Sequence, residues 1–165
     1  MQVMSDALAT VLRSLLLDRS TAAVATLYDG RPAASMIPFA VHAGPPGLRL
    51  VTHVSGLAAH TREMRSCPDV CLLITAAEAP DTMPQALARV SLPARAEFIR
   101  EDHPDHAALK AAYLKKFPEA ASLFQLGDFT IVAFVPEGAR LVAGFARAVT
   151  LPPEALAAAV GTAPA

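Results

Sequence analysis

The dipeptide Asp29-Gly30 sits between two apolar runs, residues 21–28 and 33–42, and few signals constrain a short chain more. Both residues tolerate positive φ, which a two-residue hairpin turn requires. The pair therefore predicts two adjacent antiparallel strands. Pro38, inside the second run, has no N–H to give to a ladder. That strand is expected at a sheet edge, or bulged at Pro38. A bulge beside a site is one way to aim backbone groups at a ligand.

The rest of the chain repeats this short-strand pattern. Residues 48–53 alternate after the turn Ala43–Gly47, and residues 70–76 form an apolar run. Residues 87–99 read as a long strand kinked at Pro93, and residues 128–135 and 139–145 flank the turn Pro136-Glu137-Gly138. Leu8, Val11, Leu12, Leu15 and Leu16 recur at helical spacing, so residues 5–19 form an amphipathic helix capped by Ser5. Further helices are expected from Gly56 to Ser66 with Ser55 as cap, over 105–117 behind Asp105, briefly over 119–124, and over 152–160 after Pro152-Pro153. Seven strands linked mostly by hairpins, with few helices, predict an α+β fold that is mostly antiparallel β and closes into a small barrel. The doubly wound alternative needs regular strand–helix alternation and a glycine-rich G-x-G-x-x-G turn, and neither is present.

With 165 residues, one domain (1–165, core about 5–151) is expected. Charged residues make up 18% of the chain and apolar ones 53%, though alanine supplies 35 of the 165. So few charges leave a small barrel short of polar cover, which points to a buried interface with a second copy. The formal net charge is −1, which excludes the basic excess that binding nucleic acid requires. No apolar run is long enough to span a membrane, and the N-terminus lacks a signal-peptide pattern, so a cytoplasmic location is expected. Cys67 and Cys71 are too few for a disulfide framework or a zinc site, so no metal is expected and both thiols are read as small hydrophobes. Neither H-E-x-x-H nor G-x-S-x-G occurs, which removes zinc-protease and α/β-hydrolase chemistry.

One segment suits an anion. A strand ends at Thr52-His53, Ser55-Gly56 turns the chain, and a helix begins. First-turn N–H groups are unpaired and the positive dipole end faces out; His60, Thr61 and Arg62 add donors one turn on. An ordinary capped helix has the same appearance.

Five segments in order extend this reading: residues 29–41 (DGRPAASMIPFAV), 51–64 (VTHVSGLAAHTREM), 87–98 (LARVSLPARAEF), 113–134 (YLKKFPEAASLFQLGDFTIVAF) and 139–151 (ARLVAGFARAVTL). Together they resemble the pyridoxamine 5′-phosphate oxidase-like family of FMN-binding split barrels, and within it the haem-utilisation (HugZ-type) branch. The resemblance rests on Ser55 to Thr61, on Gly127-Asp128-Phe129, and on Gly144-Phe145-Ala146-Arg147-Ala148. It implies a split β-barrel with flanking helices, and a homodimer holding FMN at the subunit interface. The activity implied is that of an oxidoreductase on an unidentified small molecule. The alternatives are haem binding or degradation on the same fold, or flavin binding without catalysis.

The resemblance also implies residue roles. Ser35 reaches the FMN phosphate, while Met36, Ile37 and Pro38 lie along the flavin ring. Thr52 and His53 face the ribityl-phosphate, and Ser55, His60 and Thr61 complete the phosphate cradle. Arg89 stands near the flavin pyrimidine edge, where a guanidinium stabilises reduced flavin. Arg147 reaches the neighbouring subunit's flavin, with Phe145 covering the ring. Two positions depart from the pattern: Glu63 stands in place of Asn, and Ala146 in place of glycine. Branch members with haem chemistry tend to carry a further C-terminal region, which this sequence lacks, and that counts against haem degradation while bearing less on flavin binding. Residues 150–165 contain no Arg, Lys or His, which counts against pyridoxamine phosphate as substrate.

Overall fold

A computed structural model describes residues 4–145 and 147–161. The predicted hairpin is present: β1 (Thr21–Tyr28) pairs antiparallel with β2 (Arg31–Pro38), with Tyr28 opposite Arg31. Asp29 has φ 49° and Gly30 φ 72°, the two positive values this turn requires. The second apolar run is divided in two. β2 ends at Pro38, Phe39 turns inward to full burial, and β3 (Ala40–Gly44) continues onto a different neighbour, β4 (Gly47–Ser55). Pro38 thus ends an edge strand, where its missing N–H costs least.

The remaining strands are β5 (Asp69–Thr75), β6 (Arg89–Ile99), β7 (Phe129–Pro136), β8 (Ala139–Val142) and β9 (Ala148–Leu151). The path across the sheet runs β2-β1-β5-β6-β7-β4-β3, all antiparallel, with β8 and β9 attached beside β6. Since β2 and β3 are one chain segment at opposite ends of this path, the sheet curls back on itself as a split barrel.

The long strand expected over residues 87–99 is present, and Pro93 within it is a switch point. Upstream of it β6 pairs with β8, through Arg89 to Ser91; downstream it pairs with β7, through Ala94 to Ile99. Its carbonyl accepts from the Glu137 N–H at 2.9 Å, in the link between those two neighbours. A proline suits the one position where the ladder changes partner.

Helix α1 (Asp6–Asp18) buries Leu12, Leu15 and Leu16 against the barrel, with Ser5 accepting from the Leu8 N–H at 3.5 Å. Each such leucine contributes roughly 1.5–3 kcal/mol by leaving water. Helix α2 (Ala59–Ser66) packs on β1 and β2, α3 (His106–Lys116) on β3, β4 and β7, and α4 (Pro153–Val160) on α1 and β4. A 3-10 segment, Pro118–Gln125, follows α3. The main core fills the barrel with residues such as Leu50, Leu72, Leu92 and Phe134; a smaller one lies between α3 and the sheet, around Val51, Ile131, Leu109 and Tyr113.

Candidate functional site

The site grows from strand alternation. Along β6, Val90 and Leu92 are buried in the barrel, which turns Arg89 and Ser91 to the outer face. Along β8, Leu141 is buried, which turns Arg140 and Val142 the same way. The register sets Arg89 opposite Val142 and Ser91 opposite Arg140. Beyond β8 the chain makes a tight turn. Ala143 donates to the Arg147 carbonyl at 2.9 Å, and Arg147 to the Gly144 carbonyl at 3.2 Å. Gly144 has φ 140°, a value that L side chains rarely adopt. The turn holds Phe145 out at 72% exposure.

These residues and Gln85 line a pocket of about 330 Å³. Three guanidinium groups, those of Arg89, Arg140 and Arg147, face it, and among the described residues no carboxylate does. Arg89 is held in place by the carbonyls of Leu87 at 3.0 Å and Gln85 at 3.5 Å. Among the described residues the ion pairs are Arg49–Asp105, Arg95–Asp69 and Arg100–Asp102, so none of the three pocket arginines is neutralised by a carboxylate. Arginine forks match carboxylate and phosphate oxygens, and a pocket with three of them is built for an anion.

The pocket opens onto an apolar strip. Ser91 pairs with Leu73, Leu73 with Ala23, and Ala23 with Met36, all on the outer face. Leu73 is 38% exposed and Met36 68%. At about 4.8 Å between strands, the strip runs on the order of 14 Å from the pocket. A ligand with an anionic edge and a flat apolar body matches this surface.

The other predicted residues lie elsewhere. Met36 is on this strip, but Ile37 points into the core at 1% exposure, so only the open backbone edge of β2 can offer Met36, Ile37 and Pro38 to a common ligand. Ser35 faces the inner side of the hairpin opposite Val24. Thr52 and His53 do not share a face, because consecutive strand residues point to opposite sides. Thr52 is fully buried and its hydroxyl has no partner; it lies on the side of Leu50 and Val54. His53 lies on the α3 side, its ring stacked on Phe124 at 3.7 Å between centroids. Burial pushes the His53 pKa down to about 4, with the Lys110 and His106 charges adding to the effect.

The α2 region corrects a second expectation. Ser55 does not cap the helix. Ala58 occupies the cap position, without a side-chain bond, and the helix begins at Ala59. The Ser55 hydroxyl is taken by Asp128, donating to its carboxylate at 2.6 Å, and accepts from the Leu57 N–H at 3.1 Å. Gly56 donates to the Asp128 carbonyl at 2.6 Å, so close that a Cβ on Gly56 would lie 3.0 Å from that oxygen. Thr61 is fully buried, donating to the Ser55 carbonyl at 2.7 Å. His60 is half-buried, and burial lowers its pKa against the opposing pull of Glu63. Glu63 accepts from the buried Thr26 hydroxyl at 2.6 Å, tying α2 to β1. Ser55 and Thr61 are thus joined directly, His60 adjoins Thr61 in the chain, and the Asp128 carboxylate already holds the Ser55 hydroxyl. Ala146 lies outside the described residues.

Sequence reasoning named Arg89 and Arg147 and missed Arg140 and Ser91. The available signal was the alternation Arg140-Leu141-Val142; the pairing of β8 with β6 was not readable.

The model of the pyridoxamine 5′-phosphate oxidase family matches residues 8–143. The chain belongs to this family. It is 36% identical over 122 residues to the non-canonical heme oxygenase HOZ, chloroplastic, of Arabidopsis thaliana; the match covers 73% of the chain and 35% of that protein. The chain therefore spans about a third of the length of this curated relative. Among solved structures it resembles a heme binding protein from Mycobacterium smegmatis, at TM-score 0.80 and 29% identity, covering 95% of the chain and 62% of that one. It also resembles the heme storage protein HutZ from Vibrio cholerae, at TM-score 0.67 and 26% identity, covering 79% and 89%. These haem-associated relatives agree with the HugZ-type branch named from the motifs.

Proposed function

We propose that this protein binds haem through the outer face of its split barrel. The observation that carries the proposal is the join between the arginine pocket and the apolar strip. Haem has two carboxylates on one edge of a flat apolar ring. Arg89, Arg140 and Arg147 provide forks for the carboxylates. Leu73, Ala23 and Met36 provide an apolar bed, and the exposed Phe145 a stacking surface. When bound, the group supplies redox-active iron, while the protein supplies position and charge.

FMN, with an oxidoreductase activity, is the competing reading, and its phosphate also suits arginine. It is less favoured here because Asp128 holds the Ser55 hydroxyl in the region where the resemblance puts the phosphate. We place a second copy of the chain against the same outer face, where Leu73 on β5 and Ala25 and Leu27 on β1 are exposed. Either planar ligand would then be covered between subunits.

Purified protein is titrated separately with haemin and FMN and passed through a desalting column. Haem binding predicts a Soret band that elutes with the protein and no retained flavin absorbance. Retained FMN with haemin lost would overturn the reading.

A further inference from the structure

We infer that the pocket recognises a tetrapyrrole by its carboxylate edge and its ring, independently of the metal, so that metal-free porphyrin dicarboxylates are ligands in their own right. This rests on the haem reading above and narrows it.

The pocket's side chains are guanidinium, amide, hydroxyl and hydrocarbon groups. No imidazole, thiol, thioether or phenol lines it among the described residues. The histidines are committed elsewhere. His53 is stacked on Phe124 beneath α3, and His103 and His106 lie at the start of that helix. The His42 ring lies against Gly44 in the β3–β4 hairpin. His60 is on α2, which packs on β1 and β2 rather than on the β6–β8–β9 end.

Two sulfur-bearing side chains of the strands stand on the outer face, and the exposed Met83 lies two residues before Gln85 without itself lining the pocket. Met36 is three strands from Ser91 and so at the far end of the strip. Cys71 pairs with Pro93, two residues along from Ser91. Burial raises the Cys71 thiol pKa, which disfavours the thiolate form that binds metals. The groups that face the pocket are thus the kind that hold carboxylates and flat rings, and none is the kind that holds iron.

The test uses the full chain with three probes: haemin, metal-free protoporphyrin IX, and protoporphyrin IX dimethyl ester. Binding is read by the Soret shift for haemin and by porphyrin fluorescence for the other two. Haemin and protoporphyrin should bind within about threefold of each other, which is under 0.7 kcal/mol. The dimethyl ester, which has lost both charges, should bind at least about 10-fold more weakly. The inference fails if haemin binds more than about 10-fold tighter than protoporphyrin, or if the ester binds as well as the diacid. If Cys71→Ser removes such a haemin advantage, the iron is held by that sulfur. If neither haemin nor protoporphyrin binds, the haem reading itself fails. Binding of haemin alone sinks only the inference.

Discussion

The Arg49 guanidinium and the Asp105 carboxylate meet at 2.8 Å, joining β4 to the residue that precedes α3. Arg49 is almost fully buried, and its Nε has no partner, so this contact is its main compensation. The Arg49 bond holds the Asp105 carboxyl below the usual carboxylate range, with His103 and His42 adding to it. A carboxylate with a lowered folded pKa contributes stability above its unfolded pKa of about 3.9, and that stability is lost as the pH falls through the folded value. Asp105→Asn should lower the thermal midpoint at pH 7, and the gap from the parent should close towards pH 3. A gap that stays constant over that range would show that the charge is not what matters.

His53 should make stability depend on pH in a higher window. Its folded pKa of about 4 lies below the ordinary 6.5, so the folded state resists a proton that the unfolded chain accepts. Stability from this residue is complete above pH 6.5 and declines as the pH falls towards 4, by no more than about 3 kcal/mol. Urea midpoints of the parent should drop between pH 7 and 4.5. Those of His53→Phe, which keeps the ring stack on Phe124, should drop less. Equal drops would refute the assignment.

The Thr26–Glu63 bond gives a third expectation. Thr26 is 2% exposed and donates to Glu63 across the gap between β1 and α2. Thr26→Val keeps the shape and removes the donor, at a cost of about 1 kcal/mol. Differential scanning calorimetry should show a loss of roughly 2–4 °C. Glu63→Gln, which keeps an acceptor oxygen, should lose less. An unchanged midpoint in Thr26→Val would mean that α2 is docked by packing alone.

Much of the fold was legible because its signals are local. Asp29-Gly30 specified its turn through backbone preference alone, and Pro38 marked an edge strand, though not that the run divides there. The spacing of Leu12, Leu15 and Leu16 specified the buried stripe of α1. What escaped depends on distant partners. Ser55 fits an N-cap by local rules, but Asp128, 73 residues on, supplies a stronger acceptor for its hydroxyl. β9 went unread because the turn at Gly144 ends β8 at Val142, and the four residues Ala148–Leu151 carry little pattern of their own. Motif resemblance reached Arg89 and Arg147 separately. Their meeting with Arg140 in one pocket is set by the β6–β8–β9 register, which no local rule specifies.

The central claim is that three arginines hold the anionic edge of haem, and haemin titration into single variants tests it most directly. Arg89→Ala, Arg140→Ala and Arg147→Ala each remove one fork, and Arg100→Ala removes an exposed arginine paired with Asp102 as a control. A charged hydrogen bond contributes on the order of 1.5–3 kcal/mol, so each pocket variant should weaken haemin roughly 10- to 150-fold. The control should bind as the parent does, and the thermal midpoints of Arg140→Ala and Arg147→Ala should stay near the parent value. Parent-like haemin affinity in all three pocket variants would contradict the account.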